Sequence, residues 1–233
     1  QQTLISFQAN TLDWQATVDL NERIEKLLSD TEQNIPDDGT LRISGRSLIN
    51  AQTTSDVAAS SIQSTALVAV VILIMLVSIH SFRQKDVQQG LARGFVSWIP
   101  LMMVVCWVYG IMGFTGYNIN PQTVTIGALS LGLGVDYAVH FTTRLEEEVE
   151  HNPRGSQQEW VENASATTGR AMFGAALTTA GGFAVLNLSA LLPLRLFGQA
   201  FVVAITLALL SSLILIPAFY TKFLSRDAKK YLE

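Results

Sequence analysis

Charge is the scarcest commodity in this sequence. Asp, Glu, Lys and Arg make up 15% of its 233 residues, against about 25% in a typical soluble domain. The deficit is local. Residues 1–60 carry an ordinary share of charge, but between Gly94 and Thr143 Asp136 is alone, and between Ala171 and Thr221 Arg195 is alone. Cysteine is almost absent too. The single Cys106 sits in an apolar run and excludes an internal disulfide. There is no basic excess: the formal net charge is −4, with no basic stripe and no nucleic-acid motif, so a nucleic-acid partner is excluded. No zinc-binding or phosphate-binding motif occurs. The chain opens Gln-Gln-Thr, with no Met and no signal peptide, and reads as a piece of a longer or processed protein.

What the sequence has instead is long uncharged apolar runs, the mark of transmembrane helices. Five spans are expected, near 65–82, 94–114, 121–143, 171–192 and 196–221. Tight connections run over 116–120 and 191–195, and a longer polar link over 144–170, part of which can lie as a helix along the membrane surface. The first 60 residues read as a small, incomplete α/β segment in the order strand, helix, strand, helix. "TLISFQAN" and "TLRISG" are the strands, and an amphipathic helix over 13–35 carries Val18, Ile24, Leu27 and Leu28 near one face. A helix from about Ser47 runs on into the first span. The expected organisation is therefore a segment 1–60, a five-helix membrane bundle over 61–225 and a tail over 226–233.

Orientation follows from Lys and Arg in the short loops. Arg83, Lys85 and Arg93 lie between the first two spans, and Arg144, Arg154 and Arg170 between the third and fourth. Lys222, Arg226, Lys229 and Lys230 lie in the tail, with only Arg195 on the opposite side. The basic side is expected to be cytoplasmic, placing residues 1–60 outside the cytoplasm.

Asp136 is the anomaly. A carboxylate at the centre of a span costs about 2.5–3.5 kcal/mol on insertion scales, so it reads as an ion or proton site facing the bundle interior. It lies about 10 Å from the inner end of its span, at 1.5 Å per residue. Gly132, Asp136, His140 and Thr143 share one helical face. The fourth span offers Ala171, Ala175, Thr179 and Gly182 as a stripe for close packing, and Thr178 and Thr179 as hydroxyls in reach of Asp136, unless they bond back to their own helix.

The stretch "GLGVDYAVHFTTRLEEE" resembles the Asp-bearing span of the resistance–nodulation–division superfamily, nearest its MMPL and hydrophobe-exporter branch. "ALTTAGGFAVLNLSALLPLRLFGQAFVVAITLALLSSLILIP" is similar to the two spans that follow it there. The resemblance implies the end of a porter subdomain plus the last five spans of one permease half, the C-terminal one. It also implies export of hydrophobic or lipid-like molecules from a cell inner membrane, driven by protons with no other cofactor. Asp136 would be the protonation site and Tyr137 its paired residue, with His140, Thr178 and Thr179 as polar support and Gly132, Gly134 and Gly182 as packing positions. Implied partners are the bilayer, the substrate, the other permease half and further copies of the chain. A sterol-sensing-type lipid sensor shares the five-span plan, and a SecD/SecF-type translocation accessory, whose signatures differ around the acidic residue, is a third reading. An enzyme is not expected. Gly132-Leu133-Gly134-Val135-Asp136 is one residue too long for the GxGD of intramembrane aspartyl proteases, and no second intramembrane carboxylate exists.

Overall fold

The computed structural model describes residues 46–116 and 125–232, together with the helical positions Leu20, Arg23, Ile24, Lys26 and Leu27. Those five positions fall in the amphipathic helix expected over 13–35; the two expected strands lie outside the described residues. The chain divides into two compact units, Gln1–Ala59 and Ser60–Glu233. Everything that positions the candidate site lies in the second, and no strand occurs among the described residues.

Helix α1, Arg46–Gln84, begins where the sequence placed a helix running into the first span. Lys85, at φ 53, turns the chain, and Asp86 caps helix α2, Val87–Phe114, by accepting a hydrogen bond from the Gln88 backbone N–H at 2.9 Å. The two helices pack as a close antiparallel pair. Trp98 Nε1 donates to the Ala69 carbonyl at 2.9 Å, and Gly94 faces the Val77 backbone so tightly that a Cβ would lie 2.7 Å from Val77 Cα. Gly94→Ala is therefore expected to cost about 1–3 kcal/mol by overpacking, read as a lower melting temperature. Gly113→Ala on the same helix, where the added methyl meets open space, should not.

Helix α3, Ile126–His151, is the centre of the bundle, packing on α2 and on the two helices at the C-terminal end. Leu131, Ala138, Phe141, Leu145 and Val149 on it are all buried. The helix passes the expected end at Thr143, helped by Arg144, which pairs with Glu147 at 3.3 Å and with Glu148 at the helical spacings that favour such pairs.

The residues expected as a polar link over 144–170, part of it helical, are helical over most of their length. Only 152–156 is non-helical. Ser156 and Glu159 form a reciprocal capping box that starts helix α4, Gln157–Ala164. With no proline to stop it, the chain continues through a π turn, Ser165–Gly169, into α5, Arg170–Ala184, and a 3-10 turn, Val185–Leu188. Helix α4 packs on α3, with Trp160 buried and its Nε1 donating to the Asn152 carbonyl at 2.8 Å. Helix α6, Leu192–Leu210, leads through a second π turn, Ser211–Leu215, into α7, Ile216–Leu232.

Among the described residues, four stretches are long and apolar enough to cross a membrane: Ser60–Gln84, Val87–Phe114, Gln157–Leu188 and Leu192–Tyr220. They include four of the five expected spans. The missing one is α3, the helix carrying Asp136, Tyr137 and His140, whose polar side chains dilute its apolar content.

Candidate functional site

Helix α3 has two dissimilar faces. Gly134, Val135, Tyr137, Ala138 and Phe141 are turned into the bundle, and Gly134 lets the helix close on its neighbours: a Cβ there would meet Leu101 Cδ2 at 3.0 Å and Ala208 Cβ at 3.8 Å. Gly132, Asp136 and His140 are exposed, and nothing lies within 4 Å of a Cβ built on Gly132. Asp136 therefore does not face the interior of this bundle, as the sequence suggested. It stands on the outward side, and Tyr137, about 100° round the helix, is buried at 8% exposure.

The expected polar partners on α5 are not brought to Asp136. Helix α5 packs chiefly on α6. Thr178 Oγ1 donates to the Ala175 and Gly174 carbonyls at 2.9 and 3.2 Å, and Thr179 Oγ1 donates to the Ala175 carbonyl at 2.9 Å. Gly182, like Gly132, faces open space within this chain. Of the three packing glycines, only Gly134 is in close contact with neighbouring helices. No cluster of three or more metal-ligating side chains occurs among the described residues.

A second polar group, absent from the sequence reading, lies at the end of the bundle where α1 turns into α2. Arg93, fully buried, holds Asp227 through both terminal nitrogens, at 2.7 and 2.5 Å, and Glu146 through Nη1 at 3.1 Å. Glu146 also receives Arg83 Nε at 2.9 Å and the Tyr220 hydroxyl at 2.5 Å. Tyr220 and Phe223 flank the Arg93 guanidinium, their ring centres 6.0 and 5.4 Å away. His80 lies beside Tyr220 with ring centres 6.1 Å apart, and its Nδ1 donates to the Leu76 carbonyl at 2.8 Å.

Two guanidinium groups thus meet two carboxylates, so the cluster is neutral as a set and its charges are compensated where water is scarce. Bidentate pairing fixes the orientation of Arg93 as well as its position. The network joins α1, α2, α3 and α7, and Glu146 lies on the same rigid helix as Asp136, ten residues on. From the sequence, Arg83 and Arg93 read as loop charges, while Glu146 falls in the polar link over 144–170 and Asp227 in the tail over 226–233. The available signal was periodicity. Thr142, Leu145, Glu146 and Val149 share a buried face, as do Tyr220, Leu224, Asp227 and Ala228.

Residues 2–230 match the MMPL family. Among curated proteins, MJ1562 of Methanocaldococcus jannaschii, named as a membrane protein, is 32% identical over 121 residues, covering 52% of this chain and 30% of that one. MmpL12 of Mycobacterium tuberculosis H37Rv, named as a probable transport protein, is 31% identical over 107 residues, 46% of this chain and 9% of that one. SCO6666 of Streptomyces coelicolor, also named as a membrane protein, is 33% identical over 132 residues, 54% and 18% of the two chains. The matched region spans less than a third of the length of each of these relatives.

Proposed function

Since this chain belongs to the MMPL family, we propose that it forms part of a proton-driven exporter of hydrophobic or lipid-like molecules in a cell inner membrane, with Asp136 as the protonation site and Tyr137 as its paired residue. The observation that carries the reading is the outward position of Asp136 on α3, beside the open Gly132 and the exposed His140. A charged carboxylate turned to hydrocarbon is expensive, whereas the same group protonated, or covered by a complementary surface, is not. The natural cover is the remainder of the permease, approaching closely at Gly132 and supplying polar partners that Thr178 and Thr179 do not. Taking up a proton then changes the free energy of that contact, which is what coupling to a proton gradient requires.

In this reading α3 also spans the membrane, as the third of five spans in chain order. It crosses the membrane wrapped by α2 and α6, which are apolar enough to shield it. The basic end of the bundle is cytoplasmic, so the C-terminus is cytoplasmic and residues 1–60 lie outside. The work of α3 is energy coupling, and the substrate is handled elsewhere in the protein. The buried Arg93 network keeps the inner end of α3 fixed to α2 and α7, so a shift at Asp136 moves these helices together.

The test uses the full-length protein in sealed vesicles with a fluorescent lipid substrate. Export should rise with an imposed pH gradient and stop when an ionophore collapses it. Export that persists undiminished without the gradient rules out proton drive. Specific lipid binding with no export at all points instead to a sensor.

A further inference from the structure

The basic end of the bundle holds a feature that the proton reading leaves unused. An open groove of about 890 Å³ runs between α2 and α7. Val96 and Ile99 of α2 line one side; α7 lines the other, with Phe219 followed along the same face by Lys222, Arg226 and Lys229. These cations recur at spacings of four and three, so they share one face of α7. All three are exposed, and none has an ion-pair partner among the described residues. The nearest carboxylate in sequence, Asp227, is on the opposite face, buried and held by Arg93. Helix α7 thus separates its charges: the acidic residue compensates the core, and the cations are left for an external partner.

We propose that this groove binds an anionic phospholipid of the surrounding membrane, its phosphate held by Lys222, Arg226 and Lys229 and an acyl chain lying along Val96, Ile99 and Phe219. The depth fits. Asp227 on α7 is bonded to Arg93 on α2, so Arg226 and Lys229 stand at or beyond the level of Arg93 toward the end of the bundle, with Lys222 reaching toward them, while Val96 and Ile99 lie about 4–9 Å deeper along α2 at 1.5 Å per residue. A free phosphate would match the cations and leave the apolar lining wet; a neutral lipid would match the lining and leave the cations uncompensated. Basic pockets between helices at a membrane surface are suited to such headgroups. The proposal requires the chain to lie in a membrane and is independent of proton coupling or export.

The test is lipid retention by the full-length protein purified in a neutral detergent. Native mass spectrometry and melting temperature are followed as phosphatidylglycerol, phosphatidylcholine or inorganic phosphate is added. Phosphatidylglycerol should be retained and should raise the melting temperature; phosphatidylcholine and phosphate should do neither. The triple variant Lys222→Gln, Arg226→Gln, Lys229→Gln should bind phosphatidylglycerol roughly a hundredfold more weakly, from about a fivefold loss per cation. Ile99→Trp, which fills the apolar part of the groove and keeps every charge, should also weaken it. Arg154→Gln with Arg170→Gln, two exposed cations outside the groove, should bind as the parent does. Undiminished retention by the triple variant overturns the proposal. So does equal stabilisation by phosphatidylcholine, or a phosphate effect as large as that of the lipid.

Discussion

Asp136→Asn in the full-length protein is expected to reduce pH-gradient-driven export to the level of membranes lacking the protein, while the protein still folds and inserts. The substitution preserves shape and hydrogen-bonding capacity and removes only the ability to ionise. Asp136 is exposed within this chain and Asn keeps its shape and hydrogen-bonding groups toward a covering partner, so its replacement should move the folding free energy by no more than about 1 kcal/mol. Stability and activity should therefore separate: little change in melting temperature, lost gradient dependence. Asp136→Glu, which can still ionise on a longer side chain, should retain part of the activity. An Asp136→Asn protein that still responds to the gradient as the parent does would remove Asp136 from the coupling mechanism. Loss of activity accompanied by a large loss of stability would mean that the side chain is structural, contrary to its outward position.

Arg93→Met is expected to have the largest effect on stability. It deletes the two bonds to Asp227 and the bond to Glu146, leaving Asp227 buried without its cation and Glu146 with Arg83 alone among cations. Breaking a buried pair from one side costs about 3–5 kcal/mol, a large fraction of the roughly 5–15 kcal/mol that holds a typical domain together. The protein should melt far below the parent and accumulate poorly. Arg93→Lys keeps the charge and loses the two-pronged grip on Asp227, so an intermediate effect is expected. Combining Arg93→Met with Glu146→Gln and Asp227→Asn removes all three buried charges at once. If uncompensated charge is the cause, this triple variant should recover much of the loss. A parental melting temperature for Arg93→Met would show that the network does not hold the ends of α1, α2, α3 and α7 together.

Much of this architecture is written in local patterns. Uncharged apolar length is a property of the chain itself, which is why four spans can be read without coordinates, with α1 beginning within a residue or so of its expected start. The family signature around Asp136 is equally local, and the match over 2–230 agrees with it. Where a segment's character is mixed, local reading falters. Residues 144–170 are polar enough to read as a link with a helix in part of it, yet all but 152–156 is helical: side-chain ion pairs at i,i+3 and i,i+4 support the end of α3 and a capping box starts α4 where hydrophobicity offers no cue.

The sequence by itself determined that this chain carries long apolar helices fit to cross a membrane, that a lone carboxylate interrupts one uncharged apolar run, and which family it belongs to. The tertiary structure decided which way that carboxylate points. A period of 3.6 residues groups Gly132, Asp136 and His140 on one face, but only the packing of α2, α6 and α7 around the other face turns that group outward. It also decided that Arg93, Glu146 and Asp227 are partners. They lie 53 and 134 residues apart in pairs, and buried charges choose their partners by proximity in space, a quantity no local pattern contains.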